Sequence, residues 1–254
     1  MSLSKMNELN PNSYESIEQC ESQIAKISES FIANKITSRQ YFQEIDQIFC
    51  IACFHGWLSL AKSIYQKYPN IHISAYDEFA FRQACANGHI QVAKWLTEIK
   101  NINISISNEF AFRYACFNEH KEIAEWLIHI KPDINVSQWN DDLFCALCAN
   151  GKTKMAKWLF SIRPTIRIDC HGHYPIITAC LRGHIDTLHW LRTIDKTFDV
   201  TANNDMIFRS ICRTRLFKMA IYFTQEWMPE RYQITKIYRS MSGEIIDFQY
   251  QVIC

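Results

Sequence analysis

Six cysteines stand at nearly equal intervals along the chain, and that spacing limits the possible folds more than any other feature. Cys53, Cys85, Cys116, Cys148, Cys180 and Cys212 are separated by 32, 31, 32, 32 and 32 residues. Four positions before them the chain carries Phe49, Phe81, Phe112, Phe144, Ile176 and Phe208, and eight positions after them Ala61, Ala93, Ala124, Ala156, Leu188 and Ala220. Trp95, Trp126, Trp158 and Trp190 occupy a further column, ten positions after four consecutive cysteines. Independent columns in one register mark stacked modules, each of which buries its apolar face only against its neighbours.

One period has room for two short helices. Phe79 to Ala86 places apolar residues three and four apart on one helical face; Asn87-Gly88-His89 is a turn signal; Ile90 to Ile99 supplies a second amphipathic segment. The next unit repeats the plan from Phe110 to Cys116 and from Ile123 to Ile130. Between units come Ile71-His72-Ile73, Ile102-Asn103-Ile104, Ile134-Asn135-Val136, Ile166-Arg167-Ile168 and Phe198-Asp199-Val200, whose β-branched residues favour extended backbone. Asn108, Asn140, Gly172 and Asn204 then suit a chain reversal. Helices this short are marginal alone, so stacking must supply their stability.

This unit resembles an ankyrin repeat. Gly88-His89 and Gly183-His184, with Gly56 and Gly151, fit that family's inter-helix turn, and Val92-Ala93-Lys94-Trp95-Leu96, Ala124-Glu125-Trp126-Leu127 and Ala156-Lys157-Trp158-Leu159 look like its second helix. The family's Thr-Pro-Leu-His opening of the first helix is absent, replaced by Phe79-Ala80-Phe81-Arg82, Phe110-Ala111-Phe112-Arg113 and Met206-Ile207-Phe208-Arg209. The resemblance implies an all-α, slightly curved right-handed solenoid with short or degenerate finger loops and fewer hydrogen bonds between repeats. The isoleucine-, asparagine-, cysteine- and tryptophan-bearing units look most like the divergent ankyrin proteins of giant DNA viruses that infect amoebae.

Three segments are expected. Residues 1–43 read as an N-terminal helical cap carrying Ile17, Ile24, Ile27 and Phe31, and residues 44–223 as about six repeats. Residues 224–254 read as a C-terminal cap and possible tail, in which Trp227, Met228, Tyr232, Ile234 and Tyr238 cover the last repeat.

Composition narrows the function. The 254 residues carry a formal charge of +1 with no long run of one sign, so no dominant electrostatic footprint for nucleic acid is present. No apolar run reaches the length of a membrane span, and Met1 to Asn10 does not read as an export signal. Eleven cysteines, most of them at repeating helical positions, read as small buried thiols of a reducing compartment, the cytoplasm or nucleus, of an infected host cell if the chain is viral. Cys50-x-x-Cys53 and Cys145-x-x-Cys148 look like zinc half-sites but fall three units apart, too far for one ion. Cys170, His171 and His173 form a tighter group without familiar zinc spacing. No phosphate loop, His-Glu-x-x-His helix or Gly-x-Ser-x-Gly elbow occurs. The expectation is therefore no catalysis, no cofactor and no metal.

What remains is an interaction scaffold for an unidentified protein, monomeric unless its ends or a partner mediate assembly. The alternatives are a substrate adaptor in a ubiquitin-ligase-type assembly and a structural component of a viral particle or scaffold. The ankyrin-like register places Tyr76, Ser107, Trp139, His171 and Asn203 at loop tips and Gln83, Tyr114, Ala146, Thr178 and Ser210 on exposed first-helix faces. Tyr114, Phe117 and Trp139 are expected to form an aromatic centre ringed by Asn118, Asp141 and Asp142, the anatomy of an interaction hot spot. Tyr76, Tyr114, Phe117, Trp139 and His173 are the candidate protein-binding residues. Arg82, Arg113 and Arg209 recur in register, and their expected task is to bond neighbouring backbone rather than phosphate.

Overall fold

The computed structural model describes residues 10–136, 138–199 and 201–253, and their side chains except those at 11, 138–140, 170–171 and 202–204. It divides into two compact units, Met1–Asn135 and Val136–Cys254.

The first unit opens with a 3-10 turn, Pro11–Ser13, and continues through α1 (Ile17–Ile32), α2 (Ser38–Phe54), α3 (Leu58–Lys67), α4 (Ala75–Ala86), α5 (Ile90–Ile99), α6 (Ile106–Phe117) and α7 (Lys121–Ile130). Thr37 caps α2: its hydroxyl accepts the N–H of Gln40, and the Gln40 side chain returns to the Thr37 backbone, satisfying two amides at once. α1 buries Cys20, Ile24 and Ile27, and Phe31 stacks on Tyr41 at 4.6 Å between ring centres. The cysteine and phenylalanine columns are the core. Phe49, Phe81 and Phe112 are buried, as are Cys53, Cys85 and Cys116. Each tryptophan reaches back one repeat, Trp95 to Phe49 at 6.2 Å and Trp126 to Phe81 at 6.4 Å, so one aromatic pair bridges successive helix pairs.

The second unit holds α8 (Gln138–Ala149), α9 (Thr153–Ile162), α10 (Cys170–Leu181), α11 (Ile185–Ile194), α12 (Ala202–Arg213), α13 (Phe217–Glu226), β1 (Tyr232–Arg239) and β2 (Ile245–Val252). Its core follows the same columns: Phe144 meets Trp190 at 6.1 Å, and Cys148 and Cys180 are buried. The two strands form an antiparallel hairpin on the α12–α13 pair. Tyr232 lies 4.4 Å and Tyr250 5.2 Å from the Phe208 ring, and Phe248 lies 5.9 Å from Phe217. Met228 and Tyr232 are buried and Trp227 stacks on Phe223 at 5.5 Å. The β-hairpin at residues 232–252 is an addition to the helical reading.

The segments between repeats join no sheet. Among the described residues no strand forms at 71–73, 102–104, 134–136 or 166–168. The chain instead enters the next first helix through left-handed backbone. Tyr76, Asp77 and Glu78 have φ of 54°, 57° and 57°, and Ser107, Asn108 and Glu109 have 54°, 60° and 57°. Asn108 and Gly172, at φ 67°, follow the reversal chemistry read from the sequence, whereas a run of three non-glycine left-handed residues was not legible there. Each such residue costs about 1–2 kcal/mol, so something must hold the turn.

Candidate interaction surface

In the first unit Arg82 holds that turn. It is 3% exposed; its Nε donates to the Asp77 carbonyl at 2.6 Å and its Nη2 to the Tyr76 carbonyl at 3.0 Å. The guanidinium also lies 4.7 Å from the centre of the Phe110 ring. This is the backbone-bonding role expected of the arginine column, and it leaves Arg82 inaccessible to phosphate.

Carboxylates form a further column at the repeat period: Asp46, Glu78, Glu109, Asp141 and Asp205. Glu78, Glu109, Asp141 and Asp205 are buried. Three of the five reach forward to the following loop. Asp46 accepts the His72 N–H at 2.8 Å, Glu78 the Asn103 N–H at 3.4 Å, and Asp141 the Arg167 N–H at 3.1 Å. Asp205 instead receives the Tyr232 hydroxyl at 2.5 Å and the Arg231 guanidinium at 2.7 Å, which fastens the hairpin to α12. These acids supply bonds between repeats where the Thr-Pro-Leu-His motif is absent. Their spacing matches that of the cysteines and was the available signal.

Histidines fasten the opposite ends of the first helices, as their turn positions suggested. His184 Nε2 lies 3.1 Å from the Ala149 carbonyl, one repeat back, and Asn118 donates to the Ala86 carbonyl at 2.7 Å. The His89 ring bonds the Phe54 carbonyl, and burial pushes its pKa below the ordinary value of 6.5. The left-handed Gly56, Gly88 and Gly151 lie directly under the rings of His89, His120 and His184.

The surface candidates fall against this frame as follows. Tyr114 is 41% exposed and stacks on Phe110 at 4.1 Å with 16° between planes, so Arg82, Phe110 and Tyr114 form a continuous pile ending at solvent. Phe117, three residues further along α6, is half-buried, and Tyr76 is half-buried within the left-handed turn. In the second unit the candidate His173 is half-buried. Its Nδ1 lies 3.0 Å from Asp195 Oδ2 and its ring 5.2 Å from Phe198. Thr178, expected on an exposed face, is buried and donates to the Tyr174 carbonyl at 2.7 Å. Asp141, expected in a polar rim, is buried in the carboxylate column. The side chains of Trp139, His171 and Asn203 lie outside the described residues, as does that of Cys170 in the proposed metal group.

Among the described residues no cluster of three or more metal-ligating side chains occurs. Cys20, Cys50, Cys53, Cys85, Cys116, Cys180 and Cys212 form no disulfide, and burial raises their pKa values, those of Cys20 and Cys212 to about 11 and the others further. A thiol held protonated in this way is a poor nucleophile. Among the described residues no helix is long and apolar enough to cross a membrane.

The human ASB11 ankyrin repeat domain has a similar fold, with a TM-score of 0.51 and 15% sequence identity over 78% of this chain and 88% of that one. An ankyrin repeat family protein from Legionella pneumophila aligns at 17% identity with a TM-score of 0.35, over 80% of this chain and 64% of that one. A search of curated proteins finds none that matches the sequence. The family model for ankyrin repeats matches residues 49–138 and 113–204, more than half of the chain. By its repeat period, its stacked helix pairs and this match, the chain belongs to the ankyrin-repeat family.

Proposed function

We propose that this ankyrin-repeat chain is a non-catalytic protein-binding scaffold whose principal contact in the first unit centres on Tyr114. Ankyrin repeats are protein–protein interaction modules. The observation that carries the finer reading is the pile of Arg82, Phe110 and Tyr114, which fixes an exposed aromatic ring before any partner arrives. A side chain ordered in advance loses little entropy on binding, and tyrosine is among the residues most often found at hot spots. Tyr76 and Phe117 belong to the same reading. Trp139 and His173 of the second unit are proposed as contacts to be tested separately.

The proposed organisation is a cap at residues 1–43, repeats over 44–223 and a C-terminal cap over 224–254. The finer identity, a protein of giant amoebal viruses acting in the host cytoplasm or nucleus, rests on composition. Affinity capture followed by titration with the captured partner tests the site. Tyr114→Ala is expected to weaken binding by more than about 1 kcal/mol while the variant stays folded. Unchanged affinity for both Tyr114→Ala and Phe117→Ala would remove this site. A ligase component among the captured proteins would favour the substrate adaptor, and particle proteins or self-assembly the structural component.

A further inference from the structure

Exposed apolar surface is concentrated on the C-terminal hairpin. Of the twelve large apolar side chains exposed among the described residues, six lie there: Ile237, Met241, Ile246, Tyr250, Val252 and Ile253. The sheet has two strands, so each strand keeps one edge whose N–H and C=O groups no third described strand takes. The edges differ. β1 is broken by an extra residue at Thr235, between the pairs Ile234–Tyr250 and Lys236–Gln249, and it carries Lys236 and Arg239. A bulge and exposed cations are the usual devices against edge pairing. β2 has its own extra residue at Ile246, near its start, but from Asp247 to Val252 every residue is paired, and the strand contains no proline, glycine or lysine. The Ile253 N–H donates inward to the Arg231 carbonyl at 2.8 Å, so by the alternation of an antiparallel ladder the Val252 N–H points to the open edge.

The helical turn packed beside this strand carries charge of one sign. The Phe217–Phe248 contact sets the middle of β2 against the turn joining α12 to α13. Arg213, Arg215 and Lys218 are exposed there, and no acid occurs from residue 206 to residue 225. The acids of β2 and the turn before it are Glu244 and Asp247, and Asp247 Oδ1 is engaged by the Phe248 N–H at 2.8 Å.

We propose that the β2 edge is a docking site, distinct from the Tyr114 surface, that takes an extended acidic segment of a partner protein as a third strand. Main-chain bonds along β2 supply affinity, the exposed apolar side chains take alternate residues of the guest, and Arg215 and Lys218 pair with its carboxylates.

Fluorescence anisotropy of a labelled (Val-Glu)4 peptide with the full chain tests this. Saturable binding is expected, weakened by salt, and a (Val-Lys)4 peptide should not compete. Val252→Pro removes one edge N–H at a side chain that is 60% exposed and should abolish binding, whereas Val252→Ala, which keeps the N–H, should bind normally. Arg215→Glu with Lys218→Glu should weaken binding at least about fivefold. Preserved ring-current shifts of Phe217 and Phe248 establish that each variant keeps its hairpin. Absence of saturable binding, equal binding of the lysine peptide, or full binding by a folded Val252→Pro overturns the proposal. Concentration-dependent dimerisation without peptide binding would assign the edge to a second copy, and oligo-dT binding untouched by Val252→Pro would assign the turn to general anion capture. Either result overturns it too.

Discussion

Replacing Gly151 by alanine should destabilise the chain through two separable effects. Gly151 sits at φ 67°, where an alanine costs about 1–2 kcal/mol. Its added Cβ would also stand 2.5 Å from His184 Nδ1 and 2.9 Å from Cγ and Cε1, closer than non-bonded atoms approach. The ring must leave, and with it goes the contact between Nε2 and the Ala149 carbonyl at 3.1 Å, about 1 kcal/mol more. Gly151→Ala should therefore cost roughly 2–3 kcal/mol. In a His184→Ala background no ring is left to displace, and only the backbone cost of about 1–2 kcal/mol remains. Urea unfolding of the wild type, both single variants and the double variant measures the difference as a coupling energy. A coupling near 1 kcal/mol is expected, beyond the roughly 0.3–0.5 kcal/mol scatter of independent sites. Additive losses would show that glycine is needed at 151 for its backbone alone and would refute the close-approach argument.

Burial orders the tryptophan column. Trp95 is 8% exposed and Trp126 half-buried, so Trp95→Ala should cost about 3–5 kcal/mol, Trp126→Ala less, and Asn87→Ala, which loses a 2.9 Å bond to the Gln83 carbonyl, about 1 kcal/mol, all read by chemical denaturation. Asp141→Ala leaves the Arg167 N–H without its acceptor and should cost about 1–3 kcal/mol; Asp141→Asn should recover part of that, and equal stability of Asp141→Ala and wild type would deny the carboxylate its bridging role. The depressed pKa of His89 means the unfolded chain takes up its proton first as pH falls, so its contribution is intact above about 6.5 and declines below that. His89→Asn should flatten the pH dependence of stability between about pH 6.5 and 5, and an unaltered slope would refute that assignment.

Much of the helical layout can be read from side-chain period alone, because packing against a neighbouring repeat imposes it. α5 spans Ile90–Ile99, the bounds its apolar pattern suggests, and α7 starts at Lys121, two residues ahead of its pattern. First helices were harder. α4 and α6 are entered through left-handed residues such as Tyr76 and Glu109, which carry none of the glycine that normally announces such backbone. The conformation depends on bonds made by Arg82 and the buried acids, and those are tertiary. The hairpin was partly legible. Ile246, Phe248, Tyr250 and Val252 alternate with Asp247, Gln249 and Gln251, a strand period, but the bulge at Thr235 breaks the same alternation in β1. Of the positions read as exposed first-helix faces, Tyr114 is exposed. Thr178 was misplaced because helix α10 turns it inward, where its hydroxyl is absorbed by the Tyr174 carbonyl.

The cysteine column gives the molecule an internal record of its own opening. Cys53, Cys85, Cys116 and Cys180 form no disulfide and are buried, each in a different repeat, and burial holds their thiols protonated. An alkylating reagent can reach such a sulfur only while its own helix pair is transiently undone. The rate at which each thiol is labelled under native conditions therefore reports the local free energy of that repeat, read position by position by mass spectrometry without introducing any probe. Repeats that fray from the outside would label Cys53 and Cys180 ahead of Cys116, whereas a chain that opens as one body would label all four together.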